Sequence, residues 1–216
     1  KNGCKLEIAG GPSSSEGLVA KVWSYLRLDD DLPNILGQVS VDWHIENAIS
    51  QYPGLRLLRV DPWECLLSFL LSSASSVTRV SRTVEALANK LGTCIQFDGS
   101  IRHVLPSPND LARVDIRLLR SLGTGYRDAY LIEASRVLSN EQIVLEALRI
   151  SSYEESRAIL LSLAGVGDKI ADCVLLHSLD KTSAFPIDRW IQRVMAEWYG
   201  LDIRLGYPKL RSWALD

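Results

Sequence analysis

The run Asp61-Pro62-Trp63-Glu64-Cys65-Leu66-Leu67-Ser68-Phe69-Leu70-Leu71 constrains this chain more than any other. Proline at a first helical position lacks only a donor that would go unpaired there, and an aspartate before it can cap the next amides. The helix so predicted carries Trp63, Leu66, Leu67, Phe69, Leu70 and Leu71 on every face. A helix that is apolar all round needs other elements packed around it. It is too short, and too interrupted by Glu64 and Ser68, to cross a bilayer, so its surroundings must be protein. The 216 residues, 47% hydrophobic and 23% charged, suffice for such a core and do not have the composition of a disordered chain.

What packs around it is also helical by pattern. Ser14 or Ser15 can cap a helix through Leu18, Val19, Val22, Trp23 and Leu26. Asp42 can cap another through Ile45 and Ile49, ended by Pro53-Gly54. Val77, Val80, Val84, Leu87 and Leu91 recur at steps of three and four until Gly92 stops them. Helical patterns return over 109–114, 116–122, 127–138, 152–163, 168–179 and 188–199. Residues 96–108 read as a turn-rich connection, and β-type alternation is confined to 5–8. The expected fold class is all-α.

Several function classes fall away early. Cysteines at 4, 65, 94 and 173 are too far apart to hold an iron–sulfur cluster or a zinc knuckle, and too few and scattered for a disulfide framework. Lys1-Asn2-Gly3-Cys4-Lys5 has no apolar stretch behind it of the kind a signal peptide needs, so the expected location is intracellular. The formal net charge of −2 provides no general pull toward nucleic acid, and any such binding must be local.

One passage offers a local site: Leu161-Ser162-Leu163-Ala164-Gly165-Val166-Gly167-Asp168-Lys169-Ile170-Ala171-Asp172-Cys173. Gly165 and Gly167 around Val166, between two helical patterns, make a tight reversal that presents backbone amides at a helix N-terminus. A phosphate can dock there without lysines. The same glycines would also serve a plain helix–helix turn. On the second helix Lys169, Cys173 and His177 share one side at steps of four, while Ile170, Ala171, Val174 and Leu175 form the core stripe. The helix start disfavours a cation, which favours Lys169 as a nucleophile; an ordinary surface ion pair with Asp172 is the plainer alternative. Nineteen residues on, Pro186 keeps the chain extended before Asp188, which opens the next helix as a cap, a catalytic carboxylate or both.

At these residues the sequence resembles the helix-hairpin-helix DNA glycosylases, and within them the 8-oxoguanine DNA glycosylase/AP lyases. The likeness also includes Asp61-Pro62-Trp63-Glu64-Cys65-Leu66, Leu122-Gly123-Thr124-Gly125-Tyr126-Arg127 and Ser152-Tyr153-Glu154-Glu155. It implies two helical subdomains with the active site in the cleft between them and the hairpin motif over 152–179. Residues 1–13 would be a remnant of an N-terminal β subdomain, and 14–216 the helical core with its closing helix truncated.

The resemblance implies excision of 8-oxoguanine from duplex DNA and strand cleavage by β-elimination. Lys169 falls at the Schiff-base lysine, Asp188 at the catalytic aspartate, and Cys173, with His177 and Pro186, at the base pocket. Tyr126 matches a wedge into the duplex, and Arg127 and Arg79 match contacts to the orphaned cytosine. Gly165, Val166, Gly167 and Trp190 fall along the DNA backbone. The carbonyls of Leu161, Leu163 and Val166 correspond to a monovalent or divalent cation site, with no other cofactor required. The implied partner is double-stranded DNA containing 8-oxoguanine, met as a monomer in the nucleoid or nucleus, with no membrane.

There are departures. Leu71-Ser72-Ser73-Ala74-Ser75-Ser76 replaces asparagines that fill the space of the flipped base, Trp190 replaces a phosphate-binding histidine, His177 a methionine, and Ala164 the hairpin proline. Two alternatives stay open: a monofunctional glycosylase for another damaged base, and a non-catalytic hairpin module that only binds DNA.

Overall fold

The computed structural model describes Ile8 and residues 15–215. The strand expected over 5–8 and the linker to residue 13 lie outside the described residues, Ile8 excepted. The chain divides into two compact units, one up to Arg59 and one from Val60 onward.

The first unit contains α1 (Ser15–Tyr25), α2 (Leu32–Val39) and α3 (Trp43–Gln51). Asp42 caps α3 by accepting the Ile45 N–H at 3.0 Å. The sequence pattern gave no sign of α2; Asp31 caps it by accepting the Asn34 N–H at 3.3 Å. The segment after α3 is tied back to the end of α1 by arginines. Arg56 Nη1 donates to the Arg27 carbonyl at 2.8 Å and Arg59 Nη1 to that of Ser24 at 2.9 Å.

The second unit begins with α4 (Pro62–Ser72) and α5 (Val77–Leu91). A hairpin of β1 (Cys94–Phe97) and β2 (Ser100–His103) follows, then the single turns α6 (Pro108–Leu111) and α7 (Ile116–Leu119). A wide turn over Arg120–Thr124 and a tight one over Gly125–Arg127 lead into α8 (Asp128–Ser139). After a 3-10 segment at Leu145–Arg149 come α9 (Tyr153–Leu161), α10 (Asp168–Ser178), α11 (Arg189–Tyr199) and α12 (Tyr207–Leu215).

Asp61 caps α4 as expected, accepting the amides of Trp63 at 2.9 Å and Glu64 at 3.0 Å. The centre of the unit is α4, whose Cys65, Leu66, Leu67, Leu70 and Leu71 are buried in one cluster with Leu87 of α5, Leu131 of α8, Leu160 of α9 and Val174 and Leu175 of α10. Truncating one of these leucines to alanine costs roughly 2–5 kcal/mol, because the cavity left closes only in part. A smaller cluster of Ile187, Met195 and Leu210, flanked by Phe185, Ile191 and Tyr207, holds α11 and α12 together.

Residues 96–108 are more than the connection the pattern suggested. Phe97-Asp98-Gly99-Ser100 closes an antiparallel pair in which Phe97 faces Ser100 and Cys94 faces His103. Asp98 at φ +46° and Gly99 at φ +70° supply the two left-handed residues of a two-residue hairpin loop. The fold is helical with this one small sheet among the described residues. No helix among them is long and apolar enough to cross a membrane.

Candidate active site

The hairpin is built from α9, the reversal over 162–167 and α10. A reciprocal box starts α9: Ser152 N–H donates to Glu155 Oε2 at 3.0 Å, and Glu155 N–H to Ser152 Oγ at 3.2 Å. Arg157 on α9 bonds Asp168 at the start of α10 at 2.5 Å, joining the two legs. Gly165 is required at the turn. It sits at φ +80° with the Tyr130 side chain against it, and a Cβ there would lie 2.5 Å from the ring.

Gly167 has a different use. It is the N-cap of α10 in extended backbone and offers no side-chain acceptor. The starts of α3, α4, α5, α9 and α11 are each capped by a side chain, from Asp42, Asp61, Ser76, Ser152 and Asp188. The first amides of α10 therefore keep their donors and the positive end of the helix dipole for an external anion.

Lys169 and Asp188 line one cavity of about 750 Å³. From α10, Lys169 Nζ reaches Ser72 Oγ at 3.5 Å and lies 4.7 Å from the centroid of the Phe69 ring, both on α4. Asp188 Oδ1 accepts the amides of Trp190 and Ile191, each at 2.9 Å, so the carboxylate is fixed by its own helix. Val77, Val80 and Val84 of α5 and Ala74 supply an apolar wall, to which Ser68 and Ser75 add hydroxyls. An amine and a carboxylate share a mostly apolar cavity beside a helix start whose amides no side chain caps. That arrangement suits attack on a sugar carbon next to a docked phosphate.

Cys173 is buried one turn beyond Lys169. Burial pushes its thiol up to about 11; the Lys169 amine pulls the other way and the Asp188 carboxylate adds to the rise. The thiol thus stays protonated, a polarisable surface rather than a nucleophile. His177, another turn along, stacks on Phe69 with ring centroids 5.8 Å apart; burial, then the nearby Lys169 charge, push its pKa down and keep it neutral. Pro186 lies half-buried in the segment leading to Asp188.

The remaining residues singled out in the sequence lie around this cavity or short of it. Trp190 lines it, mostly exposed, with the Arg189 guanidinium 5.2 Å from its ring. Tyr126 is exposed, and its hydroxyl reaches the Ser73 carbonyl at 3.5 Å. Arg127 is buried beneath it, its guanidinium 4.4 Å from the Tyr126 ring and its Nε without a hydrogen-bond partner. Arg79 is exposed on the first turn of α5. The carbonyls of Leu161, Leu163 and Val166 flank the hairpin turn, where Val166 N–H donates to Leu163 O at 3.1 Å.

One alternative is overturned. Asp172 is not a surface partner for Lys169: it is fully buried and turned away from it, accepting the Tyr153 and Tyr207 hydroxyls, each at 2.6 Å. The sequence reading also missed Phe69 and Ser72, which stand directly against Lys169. The available signal was the pair Ser68 and Ser72, one turn apart in an otherwise apolar helix.

Fold and site together define a helix-hairpin-helix protein of the DNA-glycosylase type. More particularly, the chain belongs to the HhH-GPD superfamily of base excision DNA repair proteins, whose family model matches residues 67–211. The model of the 8-oxoguanine DNA glycosylase N-terminal domain matches residues 10–66. A probable N-glycosylase/DNA lyase of Methanothermobacter thermautotrophicus is 37% identical over 174 residues, 71% of this chain and 55% of the relative. The N-glycosylase/DNA lyase of Saccharomyces cerevisiae is 31% identical over 212 residues, 93% of this chain and 56% of the relative. The chain thus spans about half the length of these curated relatives. Among solved structures, the 8-oxoguanine glycosylase/lyase of Clostridium acetobutylicum, in complex with duplex DNA containing cytosine opposite 8-oxoguanine, superposes with a TM-score of 0.87. It is 27% identical, with 92% of this chain and 68% of that chain covered.

Proposed function

We infer that this protein excises 8-oxoguanine from duplex DNA and then cleaves the abasic strand. The observation that carries the reading is the placement of Lys169 and Asp188 on one cavity beside the uncapped start of α10. A module that only held DNA would need the amides and neither side chain. A monofunctional glycosylase would need the carboxylate and no lysine. The family models and the glycosylase/lyases to which the chain is similar support the same reading.

The chemistry follows from the groups present. The damaged nucleotide leaves the stack, since C1′ of the sugar is out of reach inside the duplex. The amides of α10 hold a backbone phosphate and carry no sequence information. As the C1′–N bond breaks, the base leaves with the electron pair, and the Asp188 carboxylate stabilises the positive charge growing on the sugar. Lys169 passes a proton to the departing base, its nitrogen lone pair forms the bond to C1′, and cleavage of the C1′–O4′ bond with loss of a second proton from nitrogen opens the ring to an imine. The imine acidifies C2′; loss of that proton expels the 3′ phosphate with the C3′–O bond, and water later frees the lysine.

No organic cofactor enters this scheme. The carbonyls of Leu161, Leu163 and Val166 are neutral oxygen donors suited to a hard cation, and such an ion would share its coordination with the phosphate. The substrate is double-stranded DNA carrying the lesion, bound by one copy of the chain wherever that DNA lies, nucleoid or nucleus. The test is direct. The protein is incubated with a duplex holding one 8-oxoguanine, and the free base and the cut strand are measured separately. Base release with strand cleavage supports the reading; base release without cleavage favours the monofunctional enzyme, and binding without either favours the module.

A further inference from the structure

The carboxylate of Asp172 has no place in the chemistry above, yet it is fully buried at the junction of three helices. Its Oδ1 accepts the Tyr153 hydroxyl of α9 and its Oδ2 the Tyr207 hydroxyl of α12, each at 2.6 Å. Arg157 Nε stands 3.4 Å from Oδ1 and Arg211 Nε 3.8 Å from Oδ2. Burial, and then the bond to Asp172, push the pKa of both phenols upward, so each keeps the proton it donates.

Tyr207 reaches further. Its oxygen also accepts the backbone N–H of Ile187 at 3.3 Å, and Ile187 immediately precedes Asp188. The Phe185 carbonyl lies 3.2 Å from the same oxygen. A phenol has one proton to give, and the shorter contact to a carboxylate takes it. The result is a directional chain, from the Ile187 amide through Tyr207 to Asp172, in which the carboxylate makes the phenol oxygen a better acceptor for the amide. Asp172 lies three residues after Lys169 on α10, and Ile187 one residue before Asp188 at the head of α11.

We propose that Asp172 and Tyr207 are positioning residues that fix the Asp188 carboxylate relative to Lys169. This rests on the reading of those two side chains as the excising pair. Neither Asp172 nor Tyr207 lines the cavity that holds them. Asp188 is set from one side by its own cap bonds and from the other by Tyr207 pulling on the preceding amide. A displacement of about 1 Å at a reacting group costs up to about 100-fold in rate, so loosening this tether is visible in the step that depends on Asp188.

The experiment is a double-mutant cycle on single-turnover release of 8-oxoguanine, with Tyr207→Phe and Asp188→Asn made singly and together. Tyr207→Phe removes both hydrogen bonds and keeps the ring in its packing. Base release is expected to fall by about 10- to 100-fold in the parent and by less than about 3-fold in the Asp188→Asn background. Borohydride trapping on a preformed abasic site, where there is no base to expel, is expected to change far less. A structural role alone would slow release equally in both backgrounds and weaken trapping in step, and that result overturns the proposal, as does an unchanged rate in Tyr207→Phe. If Tyr207→Phe does not fold, Asp172→Asn, which keeps the side-chain shape and removes the charge, carries the same cycle and the same criteria. A parent protein that neither releases the base nor traps on the abasic site refutes the reading of Lys169 and Asp188 instead, which keeps the two failures apart.

Discussion

Asp188 has two jobs in this account, and two substitutions separate them. Its Oδ1 holds the Trp190 and Ile191 amides at 2.9 Å each, and its negative charge is meant to face the sugar. Asparagine keeps a side-chain oxygen at the cap and ranks with aspartate there. Its stability cost is mainly the lost charge at the helix start, about 0.3–1 kcal/mol. For a chain of this length that lowers Tm by roughly 1–4 °C. Alanine loses the cap as well, for about 1–2 kcal/mol more. In the chemical step the two substitutions are alike, because both remove the charge opposing the sugar cation. Losing such a group costs about 100- to 1000-fold. Single-turnover release of 8-oxoguanine and thermal melting, measured on both variants, should therefore part company. Asp188→Asn is nearly as stable as the parent and as slow as Asp188→Ala. An Asp188→Asn variant within about 3-fold of the parent rate, with loss confined to Asp188→Ala and scaling with its Tm, would show that the residue is only a helix cap.

Ala74 lies in the left-handed region at φ +46°, a conformation that costs an alanine about 1–2 kcal/mol; asparagine relieves about half of that, so Ala74→Asn should raise Tm by about 1–4 °C. On the resemblance, Ala74 falls in the stretch where the similar enzymes carry asparagines, and its methyl group offers no hydrogen bond to a facing strand. Excision opposite cytosine should exceed that opposite adenine by no more than about 100-fold, and Ala74→Asn should widen the gap; a parent ratio of several thousand would place the reading of that strand elsewhere. Burial pushes the thiols of Cys65 and Cys173 up from 9.0 to about 12 and about 11. The unfolded chain gives up these protons first, so stability should fall as pH rises above about 9, at up to about 1.4 kcal/mol per pH unit for each thiol. Denaturant midpoints for the parent and Cys173→Ala should differ most at pH 8 and draw together or cross toward pH 10.5; a constant gap would contradict the assignment.

Most of the helices could be read from their first residues. Asp42, Asp61, Ser152 and Asp188 each stand before an apolar periodic run, and each accepts amides as a cap. The β-hairpin went unread although Asp98-Gly99 is a strong two-residue loop signal, because the exposed, mixed-polarity strands around it obscured the pattern. Helix α2 was harder, because Leu32-Pro33 and Gly37 punctuate only eight residues. Lys169 and Asp188 were found because each opens a helix at a conspicuous glycine or proline turn. Phe69 and Ser72 were not, because α4 is apolar on all faces and periodicity cannot say which face meets a cavity. The burial of Asp172 had no local sign at all: its hydroxyl partners are 19 and 35 residues away and meet it only through the packing of α9 and α12.

The central claim is that Lys169 bonds covalently to the sugar from which 8-oxoguanine departs. Borohydride added during reaction with a duplex bearing one 8-oxoguanine reduces such an imine to a stable protein–DNA link. One trapped species is expected for the parent and none for Lys169→Gln. Because backbone amides supply the phosphate contact, Lys169→Gln should still bind the lesioned duplex within a few-fold of the parent. Peptide mapping of the trapped species should place the DNA on residue 169. A trapped complex that persists in Lys169→Gln, or maps to another residue, would contradict the account, as would a parent that releases the base with no covalent species.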